Sequence, residues 1–357
     1  MEINPMYIGV GLLSGLSCSE RIILFDSVGS ENDLFRLSKS GVENIAGKRL
    51  RGSVIPHEWE REAHRIAQLI ARGDFKIVHY WDRMYPPQLR EIHDPPFLLY
   101  VRGELPEGGV PAVAVVGTRR PTETAVHASF LLGAELSLSG IPVVSGLAKG
   151  VDAAAHWGAV KTGGCTAAVE ATGIDRVYPS AHRDLAGRIL GNGGCLVSEY
   201  PPGTEVRRYR FPERNRLISG LVRSVVVVQA PSKSGALITA DYAIEEGRDL
   251  LVHRSGLTGT VGAGGRRLAE EGARVIEEAS EIADEWETDG PCPGYTENDG
   301  EAGVDGETGV DGNSGEPRIK RTLRPVRFPS DSTLEALEDE LEGRIIRYCG
   351  RKYRRVG

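Results

Sequence analysis

Between residues 110 and 285, short apolar runs alternate with stretches of helical periodicity, and this rhythm limits the fold more than any other feature of the chain. Val113-Ala-Val-Val116 precedes a stretch that places Val126, Phe130 and Ala134 on one helical face. Pro142-Val-Val144 precedes Val151–Val160, Thr166-Ala-Ala-Val169 precedes Arg183–Leu190, and Val225-Val-Val-Val228 precedes Ala236–Ile244. Shorter runs at Cys195–Val197, Leu250–Val252 and Arg274–Ile276 extend the pattern. Strand and helix in alternation imply an α/β protein with a doubly wound, mostly parallel sheet covered by helices on both faces. Unbroken valine runs, rather than alternating ones, fit strands buried on both sides.

The flanks differ from this centre. Residues 1–80 read as a small helical domain, with helix-like apolar spacing in Gly15–Phe25 and Glu58–Ile70. Prolines at 86, 87, 95 and 96 set the chain path into a second unit, expected over 81–287. Residues 288–330 read as a disordered acidic, Gly-rich linker. It contains a near-repeat, Gly-Glu-Ala-Gly-Val-Asp at 300–305 and Gly-Glu-Thr-Gly-Val-Asp at 306–311. The stretch 288–316 holds eight acids and no Lys or Arg, which is more than the whole net charge of -7. The folded part is therefore near neutral, with local basic patches. Residues 331–357 read as a short helix, Thr333–Tyr348, followed by the basic tail Arg351-Lys-Tyr-Arg-Arg355.

Five scattered cysteines without CxxC spacing argue against a disulfide framework and against a zinc site. No apolar run approaches the ~18 residues of a membrane span. Met1-Glu-Ile-Asn-Pro5 lacks the basic and apolar regions of a signal peptide. The expected location is the cytoplasm, with no membrane partner.

Chemistry concentrates in four places. Five arginines fall within residues 207–216, around Phe211-Pro-Glu-Arg-Asn-Arg216. Like-charge repulsion in such a cluster is relieved by a polyanion, and nucleic acid is the commonest one of suitable size. Acidic neighbours Glu205 and Glu213 leave a solvated basic face as an equal alternative. Three strand-to-helix turns are rich in Gly, Ser, Thr and basic residues. In the first, Gly117 permits close backbone approach, Thr118 offers a hydroxyl, and Arg119 and Arg120 add charge at a helix start. A tight turn with solvated arginines fits the same residues. In the second, Ser145, Gly146, Lys149 and Gly150 precede a helix that Asp152 is placed to cap. Lys149 at a helix N-terminus calls for a neutralising anion. His156, one turn on, has no evident nucleophile or metal beside it and reads as structural. In the third, Ser234 and Gly235 form an anion nest beside Lys233. All three turns are expected at the carboxyl edge of the sheet; the arginine-rich segment enters its strand from the other end, which leaves open whether it flanks the crevice or lines its floor.

Six segments in this order resemble the DNA-processing protein A family (DprA, also called Smf). They are Val115–Arg119, Ser145–His156, Gly173–Pro179, Ser198–Gly203, Phe211–Leu221 and Ser234–Ala240. The resemblance spans about 85–280 and implies an extended Rossmann-like domain, preceded by a small helical one. It implies a homodimer that binds single-stranded DNA, protects it during natural transformation and helps load a RecA-type recombinase. By motif, the implied DNA-binding residues are Gly117, Thr118, Arg119 and Arg120, then Ser145, Gly146, Lys149 and Gly150, then Phe211, Arg214, Asn215 and Arg216, with Ser234 and Gly235. No catalytic residue, metal or cofactor is implied. The chain departs from the family at Gln229, usually Glu, at His253–Gly256, and at Gly259–Arg267.

Two enzymatic readings stand beside this one. A nucleotide phosphoribohydrolase on a related fold needs a carboxylate in a PGGxGTxxE turn, whereas Asp241 is the only acid in Ser234–Tyr242 and its spacing differs. A dinucleotide-dependent oxidoreductase needs the GxGxxG that the first turn lacks. Glu199 reads as a structural acid in its Pro-rich turn.

Overall fold

The computed structural model describes residues 4–50, 52–73, 75–106, 110–282 and 286, together with the backbone of 345–348 and 351–354. Five helices come first: α1 (Pro5–Leu12), α2 (Cys18–Asp26), α3 (Glu31–Phe35), α4 (Lys39–Ala46) and α5 (Pro56–Ala71). The starts of α1 to α4 are capped by Asn4, Ser17, Ser30 and Ser38. Ser17 forms a full capping box with Glu20. Then come β1 (Lys76–His79), α6 (Pro87–Arg90), β2 (Leu98–Gly103), β3 (Val113–Val116), α7 (Glu123–Leu138), β4 (Val143–Ser145) and α8 (Val151–Lys161). After them follow β5 (Thr166–Glu170), α9 (Arg183–Gly191), β6 (Cys195–Ser198), α10 (Arg210–Gly220) and β7 (Ser224–Val227). The series continues with α11 (Gly235–Glu245), β8 (Asp249–His253), α12 (Ala263–Glu270) and β9 (Arg274–Ile276).

Nine strands form one sheet in the order β1-β2-β6-β5-β4-β3-β7-β8-β9. The seven strands from β6 to β9 are parallel, while β2 pairs antiparallel with both β6 and β1. The sheet is thus the extended, mostly parallel, Rossmann-like α/β architecture expected. The antiparallel β1–β2 edge was not foreseen, because β1 is only four residues long and sits between proline-rich and helical stretches.

The valine runs are buried on both sides, and successive residues serve opposite faces. Val113, Val115, Val226 and Val228 pack under α7 and α8. Ala114, Val116, Val225 and Val227 pack under α10, α11 and α12. On the β2–β6–β5 side, Leu98, Tyr100, Leu196 and Ala168 share one apolar cluster with α9 and with α1–α5. Trp59 of α5 donates Nε1–H to the Gly9 carbonyl at 2.7 Å, tying that helix to α1.

The acidic segment expected over 288–330 lies outside the described residues, as does the first part of the helix expected over Thr333–Tyr348. Its last residues are corrected: Ile345–Tyr348 form a strand, β10, paired antiparallel with β11 (Arg351–Arg354). The β-branched Ile345-Ile346 favour a strand over a helix. Among the described residues, no helix is long and apolar enough to cross a membrane.

Helices α7 and α8 approach at backbone distance because glycines face the partner. A Cβ added at Gly158 would sit 2.0 Å from the Phe130 carbonyl oxygen. Alanine has the better helix propensity by about 1 kcal/mol, so propensity alone favours Gly158→Ala. The expected outcome in urea denaturation is instead a loss of about 1–3 kcal/mol, from overpacking.

Candidate nucleic-acid interface

Strand order decides where a ligand can sit. The chain winds from β3 through β4, β5 and β6 in one direction, then returns to place β7 on the other side of β3. In such sheets the crevice lies outside the carboxyl ends of the strands at this reversal. A crevice of about 1100 Å³ opens there, walled by the turn after β3, the turn after β7 and the first turns of α10. Because α10 leads directly into β7, its N-terminal end reaches the carboxyl edge. The arginine-rich segment therefore lines the crevice, a choice between lining and flanking that the sequence leaves open.

The crevice brings together Gly117, Thr118, Arg119, Arg120, Phe211, Arg214, Asn215, Ser234 and Gly235. The turn after β3 is held by the turn after β7. Thr118 N–H donates to the Gln229 carbonyl at 2.7 Å. The Gln229 side chain accepts from Thr122 N–H at 2.9 Å and donates to Thr122 Oγ1 at 3.2 Å. The buried amide supplies one acceptor and one donor, which suits it to this place. Ser234 spends its hydroxyl on capping α11, accepting from Ala236 N–H at 3.3 Å. Asn215 Nδ2 donates to the Gly235 carbonyl at 3.2 Å, joining α10 to the start of α11.

Arg119 and Arg120 are exposed, as are Arg208 and Lys233 on the same walls. None of the four forms an ion pair among the described residues, and the one carboxylate lining the crevice is Asp152. The Arg119 guanidinium lies over the Phe211 ring at 5.2 Å from its centroid. The Tyr178 ring is 5.5 Å from Phe211 and 39% exposed. Charge and aromatic surface thus meet at one end of the crevice. Sequence reasoning did not select Arg208 or Tyr178. The signals were present, one in the arginine cluster and the other in the Gly173–Pro179 segment.

Arg214 is of another kind. It is only 4% exposed, and its guanidinium donates to the Gly146 carbonyl and to the Val169 carbonyl. It ties α10 to the turn after β4 and to the end of β5. Gly146 is required there, because an added Cβ would lie 2.6 Å from the Arg214 nitrogens. Asp152 does not cap α8. Its carboxylate turns back and accepts from Gly146 N–H at 3.2 Å and Ala148 N–H at 3.4 Å. Burial raises the Asp152 pKa, and Arg214 opposes that rise. Burial likewise pushes Glu170 up to about 8, against the pull of Arg214. Burial lowers the Arg214 pKa, and Asp152 and Glu170 work against that lowering. Two buried groups, the Arg214 guanidinium and the Asp152 carboxyl, line the floor of the crevice, and the buried Glu170 acts on Arg214 from outside that lining.

The remaining sequence candidates lie outside the crevice lining. Ser145 is buried and donates its hydroxyl to the Val115 carbonyl at 2.7 Å. Gly150 adopts φ +83° at the start of α8, and Lys149 before it is exposed. Arg216 lies on the opposite face of α10, in a separate cavity of about 570 Å³. There it donates to both Glu199 carboxylate oxygens, at 2.7 and 2.6 Å. Glu199 is structural, as read, through this ion pair rather than through its own turn. His156 is fully buried with Nδ1 2.7 Å from Thr166 Oγ1, and that hydroxyl donates to the Val143 carbonyl. Burial pushes its pKa down to about 3, so it stays neutral. Asp241 is exposed on α11, outside the crevice lining.

A family model described as DNA recombination-mediator protein A matches residues 76–287, from β1 to just beyond β9. The chain belongs to the DNA recombination-mediator protein A family, the DprA/Smf family. DNA processing protein DprA of Streptococcus pneumoniae is 40% identical over 228 residues, covering 63% of this chain and 78% of its own length. The Bacillus subtilis DprA is 32% identical over 255 residues, covering 70% of this chain and 85% of its own. The X-ray structure of the S. pneumoniae DprA has a TM-score of 0.63 at 32% identity, covering 80% of this chain and 99% of its own. A structure of the Helicobacter pylori family member, solved for its single-stranded DNA binding mode, has a TM-score of 0.52 at 27% identity. It covers 60% of this chain and 96% of its own.

Two outcomes follow from the buried floor of this DprA/Smf crevice. Arg214→Ala leaves the buried Asp152 carboxylate without its countercharge and the Gly146 and Val169 carbonyls without their donor, with an expected loss of roughly 3–5 kcal/mol in urea denaturation. Glu170 binds its proton more tightly folded than unfolded, so its contribution to stability falls as pH rises from about 4.5 to about 8. Glu170→Gln removes that slope, and its stability relative to wild type should be higher at pH 8 than at pH 5.

Proposed function

We propose that this crevice binds single-stranded DNA through its phosphates, without sequence preference. We propose further that the protein protects the bound strand and helps load a RecA-type recombinase onto it, acting as a homodimer in the cytoplasm. The observation that carries the binding reading is the charge imbalance of the crevice. Four exposed cations, Arg119, Arg120, Arg208 and Lys233, surround one buried carboxylate, Asp152. Mutual repulsion of these cations is relieved by a polyanion. Tyr178 and Phe211 add ring faces on which any base can stack, a contact that does not discriminate sequence. The H. pylori relative with its single-stranded DNA binding mode supports the same reading.

The test is fluorescence anisotropy of a labelled single strand of about 30 nucleotides against the matching duplex, across a salt series. The expected result is preference for the single strand. Its log affinity should fall linearly with log salt, by about 0.7 per phosphate neutralised. Arg119→Ala with Lys233→Ala should weaken binding alike for all base compositions and flatten the salt slope. Wild-type affinity in that double variant, or equal weak binding of strand and duplex, would overturn the reading. Recombinase loading is read separately, by whether the protein speeds filament formation of a RecA-type protein on a strand already coated by single-strand binding protein.

A further inference from the structure

A second cleft, of about 550 Å³, opens beside the crevice and holds a charge excess of its own. Three arginines from distant parts of the chain converge on it: Arg102 near the end of β2, Arg176 after β5, and Arg183 at the start of α9. The one acid among its lining residues is Asp175. That carboxylate is already engaged, accepting from Gly203 N–H at 2.8 Å and lying 3.9 Å from Arg176 Nε. Arg102 and Arg183 form no ion pair among the described residues. Guanidinium groups gathered in this way repel one another unless an anion lies between them.

The cleft is continuous with the crevice, because Tyr178 and Val206 line both. Both are partly exposed apolar side chains, at 39% and 38%, on the ridge between two basic hollows. Tyr178 is also the ring beside Phe211. The cleft then follows α9, whose nine residues span about 13 Å. Its far wall is Arg102, which pairs with Leu196 toward the amino end of β6. A chain of phosphates that crosses Tyr178 therefore passes from the cations of the crevice directly to Arg176, Arg183 and Arg102, of which only Arg176 has an ion-pair partner among the described residues.

We propose that the single strand leaves the crevice over Tyr178 and continues into this cleft, where Arg102, Arg176 and Arg183 hold its phosphates. The DNA site is then a bent track of two subsites with an aromatic ridge between them. This rests on the single-stranded DNA reading of the crevice. The cleft supplies charge and few base-reading groups, so it adds affinity and length dependence without sequence preference.

The test compares a short single strand of about 5 nucleotides, sufficient for the crevice alone, with one of about 20. Both are titrated by anisotropy against wild type and the triple variant Arg102→Gln, Arg176→Gln, Arg183→Gln. The expected result is unchanged affinity for the short strand. For the long strand, affinity should fall about tenfold and the log–log salt slope should drop by about 2, as the loss of three phosphate contacts requires. Arg176→Glu, at an exposed position, is a second variant expected to show the same length-dependent loss. Thermal melting matched to wild type shows that either variant is folded. Long-strand affinity and slope equal to wild type, or equal loss for both lengths, would overturn the cleft while leaving the crevice reading in place. Failure of wild type to bind either strand would remove the crevice reading and the cleft with it.

Discussion

The buried guanidinium of Arg214 is the contact on which the crevice depends. It starts from the second turn of α10 and ends on two backbone carbonyls, one after β4 and one at the end of β5. Burying a charge in this way is costly unless it is both hydrogen-bonded and balanced. Both conditions are met here. The carbonyls take the hydrogen bonds, and the Asp152 carboxylate supplies opposing charge. Asp152 in turn holds the N–H groups of the same turn whose carbonyl Arg214 binds. Three elements far apart in sequence are thereby held at fixed positions, and Gly146 is the residue that makes room.

This arrangement separates support from contact within one short motif. Along α10, helical periodicity sends alternate arginines to different tasks. Arg214 faces the floor of the crevice and turns inward, while Arg216 faces the cavity beside the N-terminal helices and closes on Glu199. Phe211 remains at the crevice wall, beneath the Arg119 guanidinium. The exposed cations available to a polyanion come from the turns after β3 and β7 and from the segment before α10. The most arginine-dense stretch of the chain is thus partly scaffold, and the exposed cations of the crevice come from three separate segments.

The N-terminal helices are joined to the sheet by a shared apolar cluster. Leu98, Tyr100 and Leu196 of the sheet pack with residues of α1 to α5. Polar contacts cross the same boundary, as where Cys18 N–H donates to Asp94 at 3.0 Å. The antiparallel β1–β2 edge lies between the two parts, and β2 carries side chains into clusters on both of its faces.

Much of the architecture was legible because its signal is local. Valine runs followed by amphipathic stretches located β3 to β9, α8, α9 and α11 to within a residue or two, and marked one face of α7, whereas α10 was legible as an arginine-rich motif and not as a helix. Glycine and small polar residues marked the turns that open on the ligand edge. Local pattern did not distinguish an arginine that faces solvent from one that faces a carbonyl, since both occupy the same kind of position in a charged segment. It also missed β1, too short to show periodicity, and misread Ile345–Tyr348, where helical spacing competed with β-branched residues. Composition and order of motifs thus determined the fold class, the family and the region of the site. Only the tertiary structure decided that Arg214 is a buried support, that Arg208 and Tyr178 belong to the crevice wall, and that Arg102, Arg176 and Arg183 meet in one cleft. The reason is geometric. Strand order places segments more than a hundred residues apart on one edge, and that convergence leaves no trace in the local sequence of any of them.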